Sequence, residues 1–288
     1  MRFLGTGAGE MYPNPYCDCN VCERVRKTGA RPRLRSAFMM DENNMIDFGL
    51  DILAASAVYN APLSKVDHVF ITHTHDDHFS LDNIGAMSMA DKRQGHYPIS
   101  FYLSEGAYSS VMKTIDALRP LHGGRHTIDG LISMGRLKFI PIRPYTSFLA
   151  GETEVFTVES NHRVSNEELA VNYLFNRGQK GKFLYATDTG LYSQKNIDIL
   201  RGAGADYLIM EGTFGSLPQS RDSTHLNAEH FVEQVDKFGQ AGIIKPDAKI
   251  YVTHINQCNT FSHEEYQYYL HRNSSYNITV GYDGMVIE

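Results

Sequence analysis

Short apolar runs recur along this chain, and most of them break off into a restricted set of polar residues. The segments KVDHVFITH, GKFLYATDTG, ADYLIMEGT and AKIYVTHIN each read as a buried strand running into a loop rich in His, Asp or Thr. VNYLFNRGQKGKFLYATD has the pattern of a hairpin closed by a glycine-containing turn. Helical periodicity predicts helices near residues 81–91, 228–238 and 262–272, the last opened by a capping box of Ser262 and Glu265. YDG near the end marks a tight turn between residues 278–282 and 285–287. Strands interspersed with helices, without a linker or low-complexity tract, imply a mixed α/β sandwich forming one domain over residues 1–288. Ligating residue types therefore gather where strands end, on loops that a rigid sheet can position.

Composition narrows the function. The 288 residues are 42% hydrophobic and 21% charged, ordinary for a globular chain with a substantial core. No run approaches the ~18 apolar residues of a membrane span, and MRFLGTGAGE lacks a signal-peptide core, so a cytoplasmic location is expected. A net charge of −6 argues against nucleic acid as the main partner, while small anions remain acceptable to bound cations. A homodimer is compatible with this composition. Four cysteines do not suggest a disulfide framework, and 13 histidines exceed what a core needs. GTGAGE fails as a dinucleotide fingerprint, because it leads into a cysteine-rich insert and not into a helix.

The densest chemistry is THTHDDH, where His73, His75, Asp77 and His78 fall within six positions. Two histidines spaced i, i+2 at the end of a strand can turn toward one ion, and Asp77 and His78 can reach a second. Imidazole and carboxylate donors suit Zn, Mn or Fe better than Ca or Mg.

His-x-His-x-Asp-His after an apolar strand resembles the signature of the metallo-β-lactamase-fold hydrolases. The resemblance extends to Asp47 in MIDFG, His162 in ESNHR, Asp188 in YATDTG and His254 in YVTHIN. It implies a four-layer αββα sandwich with two divalent metal ions at one edge of the sheets. His73, His75 and His162 would hold the first ion; Asp77, His78 and His254 would hold the second, with Asp188 bridging. Such ions lower the pKa of a bound water from 15.7 to about 7, giving a hydroxide nucleophile. Asp47 is expected to orient a ligand histidine.

YCDCNVC supplies Cys17, Cys19 and Cys22, and no thioredoxin-like context surrounds it. Structural zinc sites are closed and tetrahedral. Cys258, the one remaining cysteine, is therefore the expected fourth ligand of a structural Zn that staples a loop at about residues 12–35. The insert resembles a narrower group: the cyclic phosphodiesterases of phosphonate breakdown and the PqqB proteins of quinone-cofactor synthesis. In those phosphodiesterases a histidine provides the fourth zinc bond where Gln257 stands here, and His263 is the alternative donor. A histidine placed like His225 serves them as general acid, so His225 and Asp77 form the expected catalytic set. The reaction expected is hydrolysis of a small cyclic or nucleotide-like phosphodiester. The alternatives are a PqqB-like iron-dependent oxidation and a tRNA 3′-processing nuclease. A secreted β-lactamase is disfavoured by the missing signal peptide and by Asp188, where those enzymes usually carry cysteine. Residues 95–150, with His96, His122 and His126, receive no role from sequence.

Overall fold

Alternation along the strands decides the layering of this computed structural model, which describes residues 1–90, 95–119, 128–258 and 260–288. In β10 (Lys182–Ala186), Phe183 and Tyr185 face one core while Leu184 and Ala186 face another, and all four are buried. Such a strand is covered on both faces, which explains why the run reads as continuously apolar.

One sheet contains, in spatial order, β1 (Arg2–Gly5), β2 (Ala37–Met39), β3 (Asn44–Ile46), β4 (His68–Phe70), β5 (Ile99–Ser104) and β6 (Leu137–Ile142). The other runs β13 (Ile278–Val280), β12 (Ile244–Thr253), β11 (Ala205–Glu211), β10, β9 (Leu169–Asn176), β8 (Thr153–Arg163), β7 (Ser147–Ala150). Phe3, Phe38 and Phe70 from the first sheet pack against Tyr173, Phe175, Phe183 and Tyr251 from the second. The outer face of the first sheet is covered by α2 (Ile52–Val58), α3 (Leu81–Ala90), α4 (Glu105–Leu118) and α5 (Ile128–Ser133). α6 (Gln194–Leu200), α7 (Ala228–Gln240) and α8 (His263–Asn273) cover the second. Helix, sheet, sheet, helix is the layering expected. A short helix, α1 (Asn20–Thr28), lies in the cysteine insert with Cys19 as its N-cap.

The expected helices form within two residues of their sequence bounds, and Ser262 and Glu265 make the reciprocal capping box that opens α8. The hairpin also forms, β9 and β10 pairing antiparallel. The final tight turn forms, Met285 N donating to Tyr282 O, and the residues beyond it run beside β1, Phe3 N donating to Met285 O and Ile287 N to Met1 O. The loop GTGAGE packs by backbone, and a Cβ at Gly5 would strike the Arg35 carbonyl. His122 and His126 lie outside the described residues, whereas His96 pairs with Asp67 at 3.1 Å, away from the ligand cluster. Among the described residues no helix is long and apolar enough to cross a membrane.

Candidate metal centre

Register carries the ligands to one level. β10, β11 and β12 are parallel, and Ala186, Met210 and Val252 lie in one row across them. Asp188 and His254 each follow that row by two residues, and Glu211 by one. In the first sheet Ile46 pairs with Phe70, so Asp47 leaves β3 beside the chain that becomes THTHDDH. Crevices beyond the carboxyl ends of parallel strands are where such sheets build sites. Three of these strand-end residues turn sharply through the left-handed region: Asp47 (φ 62), Asp188 (φ 50) and His254 (φ 52). Each such turn costs on the order of 1–3 kcal/mol, and this strain collects at functional sites.

Two groups of donors result. His73, His75 and His162 offer three nitrogens within 4.8 Å of one another. His73 Nε2 lies 2.9 Å and His162 Nε2 3.2 Å from His75 Nδ1. On the other side His78 Nε2 faces His254 Nε2 at 3.2 Å, and Asp77 Oδ2 lies 3.2 Å from the first and 3.5 Å from the second. Asp188 stands between the groups. Its Oδ2 is 3.0 Å from His78 Nε2 and 3.3 Å from His254 Nε2, while its Oδ1 is 4.0 Å from His73 Nε2 and from His162 Nε2.

Hydrogen bonding tests whether these donors fit cations. His78 Nδ1 is 2.7 Å from Asp47 Oδ2 and donates to it, which leaves Nε2 as a lone pair. Thr213 Oγ1 gives its hydrogen toward Glu211 and so accepts from His254 Nδ1 at 2.9 Å, leaving that Nε2 a lone pair as well. In their neutral forms the two rings would set lone pairs against each other across 3.2 Å, an arrangement that a proton or a cation beside both relieves. Asp188 Oδ2, buried, accepts no hydrogen bond. A buried charged acceptor without a donor is costly. Burial alone would raise the Asp188 carboxyl, but His254 and His78 hold it well below the usual range. Burial keeps His73 neutral and lowers His162 to about 4. Burial opposes charge on His78 and His254, but Asp188 and Asp77 outweigh it and raise both, so without a cation protons take the nitrogens from which a transition-metal ion would displace them. The donor set fits divalent metal ions.

His225 sits at the rim, its ring 4.8 Å from that of His162 and its Nδ1 4.0 Å from Asp188 Oδ1. Its Nδ1 donates to Glu211 Oε1 at 2.9 Å. Burial opposes a charged ring, yet Glu211 and Asp188 outweigh it and raise His225 to about 9. Sequence reasoning passed over Glu211, which is fully buried and also accepts from Thr189 N and Leu226 N. Its one sequence signal was an acidic residue closing the apolar run DYLIM.

A separate cluster joins the cysteine insert to the segment after His254. Cys17, Cys19 and Cys22 are within 4.8 Å of one another, and Cys22 Sγ is 3.4 Å from Cys258 Sγ. Burial raises the pKa of Cys22, and burial with Cys22 and Cys17 nearby raises that of Cys258, so four thiolates here would need a cation. Gln257 and His263 are occupied elsewhere: the buried Arg33 donates through Nε to Gln257 Oε1 at 2.9 Å and through Nη2 to His263 Nδ1 at 3.1 Å.

Residues 43–255 match the family model described as a beta-lactamase superfamily domain. Among solved structures, a diphosphatase from the PhnP family is 21% identical with a TM-score of 0.72, covering 100% of this chain and 96% of its own. Zn(2+)-bound PqqB from Methylobacterium extorquens is 16% identical with a TM-score of 0.70, covering 100% and 99%. The short form of human tRNase Z is 19% identical with a TM-score of 0.62, covering 100% and 98%. Likeness at these identities is likeness of fold. No curated protein matches the chain in sequence.

Proposed function

Because the chain belongs to the beta-lactamase superfamily of metal-dependent hydrolases, we propose that it is a binuclear phosphodiesterase acting on a small cyclic or nucleotide-like phosphodiester. The observation that carries this reading is Asp188, whose two oxygens face two separate donor groups with a charged histidine at their rim. His73, His75 and His162 would hold one ion, Asp77, His78 and His254 the other, and Asp188 both. Bound there, two divalent ions supply charge for the phosphate oxygens and a water acidic enough to attack near neutral pH. The chain's own contribution is the proton. Glu211 fixes His225 through Nδ1 and keeps it charged, and Nε2 takes no hydrogen bond among the described residues. That nitrogen is positioned to protonate a departing alkoxide.

A fixed proton donor meets the need of ester hydrolysis that the attacking water leaves open, the proton for the leaving alkoxide, which supports the hydrolytic reading. The acidic balance of the chain favours a small phosphorylated substrate over tRNA. A neighbour that is a diphosphatase supports phosphorus as the centre attacked.

The test varies the leaving group. With alkyl or 2′,3′-cyclic nucleotide diesters, His225→Ala is expected to lower kcat by about 10²–10⁴. With bis(p-nitrophenyl) phosphate, whose leaving group needs no proton, the loss is expected to be small. Equal losses on both substrates would remove the general acid. Absence of turnover on every phosphodiester by metal-loaded protein would remove the whole reading.

A further inference from the structure

The histidines of the two donor groups are not held in the same way. His73 Nδ1 meets Thr72 Oγ1 at 3.1 Å, His78 meets Asp47 and His254 meets Thr213, so a side chain aims each of these rings. His75 differs. Its Nδ1 points at His73 and His162, and its Nε2 has no hydrogen bond among the described residues. The aim of its ring is left to the backbone of the loop that carries it.

That backbone is gripped from outside the ligand set. Thr74, between His73 and His75, donates from its amide to Glu168 Oε1 at 2.8 Å and from its hydroxyl to Glu168 Oε2 at 2.7 Å. Glu168 is only 1% exposed and forms no ion pair among the described residues. Burying a carboxylate without a cation is expensive, and two charge-assisted bonds to a single residue offset part of that cost. Glu168 is itself fixed by its surroundings: a Cβ at Gly106, in the first turn of α4, would collide with the Glu167 carbonyl, so helix and loop backbone are in direct contact.

We propose that Glu168 is a positioning residue for the metal centre, clamping Thr74 so that His73 and His75 converge on one of its two ions. The clamp bears first on the His73, His75, His162 group: His75 O also accepts from His78 N, but the rings of the other group are aimed independently by Asp47 and Thr213. Its loss should therefore be selective. The inference rests on the two-ion reading given above.

The experiment counts ions and needs no turnover. The full chain, loaded with Zn and dialysed against graded chelator, is compared with Glu168→Ala, Glu168→Gln and Thr74→Val by elemental analysis and competition titration. In Glu168→Ala one active-site ion is expected to weaken by about 10- to 100-fold, with the other unchanged. Glu168→Gln and Thr74→Val, each keeping one of the two bonds, should fall between it and the parent. Adding Thr74→Val to Glu168→Ala should cost nothing further, since the two residues act through one contact. Folded variants with both ions at parental affinity, or with both ions weakened alike, would overturn the proposal. Should Glu168→Ala fail to fold, the near-isosteric Gln and Val variants decide in the same way. A parent chain that binds no active-site pair would overturn the two-ion reading and this one with it; a parent that binds the pair while the variants do likewise overturns this one alone.

Discussion

At the scale of single residues, the centre depends on which nitrogen of each ring carries hydrogen. Asp47 controls two of them: its Oδ2 takes the His78 Nδ1 hydrogen, and its Oδ1 accepts from Thr72, whose hydroxyl touches His73 Nδ1. An acidic residue closing an early strand was visible in MIDFG, and its use as a histidine's partner follows from chemistry. Asp47→Asn presents an amide hydrogen to one of these donors. It is expected to weaken metal binding by about 10- to 100-fold, read by chelator competition; unchanged affinity would show that the ring needs no such partner. Glu211, Thr213 and Glu168 were harder to see. A carboxylate in a sequence carries no mark of being buried, and a threonine beside a histidine is ordinary loop composition until its hydroxyl is located.

At the scale of elements, capping and periodicity were legible because they are local: Ser262 and Glu265 are three residues apart and need nothing from elsewhere in the chain. The cysteine insert combines local and distant information. Three thiols announce themselves in YCDCNVC, and α1 begins on one of them, while the fourth depends on the approach of the segment after β12. Contact of Cys22 with Cys258, and the engagement of Gln257 and His263 by Arg33, make Cys258 the proposed fourth ligand. Cys258→Ala is expected to lose one equivalent of zinc and to lower Tm while leaving the active-site ions in place. Metal content and thermal melts measure this; a variant with parental zinc content and Tm would assign the cysteines to packing.

At the scale of the whole molecule, each sheet contributes part of each donor group, so the interface between the sheets is also the foundation of the centre. Phe175 is fully buried there, stacked 4.6 Å from Phe183 and meeting Phe70 edge-on at 5.0 Å. Phe175→Ala is expected to cost about 3–5 kcal/mol and to lower Tm. Added Zn should restore part of that loss, since an ion that binds only the folded chain stabilises it by mass action. A Tm indifferent to metal, in parent and variant alike, would contradict a centre that spans both sheets. The sequence by itself determined the strands, the helices and the kinds of ligand, because hydrophobic period and donor chemistry are properties of short segments; the four-layer order was implied by the resemblance those ligands carry. Tertiary structure alone decided that Glu211 carries His225 and that Glu168 reaches Thr74, and it set the distances at which Asp188, the bridge implied by the resemblance, faces the two groups. Those are contacts between residues far apart in the chain, fixed by strand register and by close approach of backbones, and neither is written in any one segment.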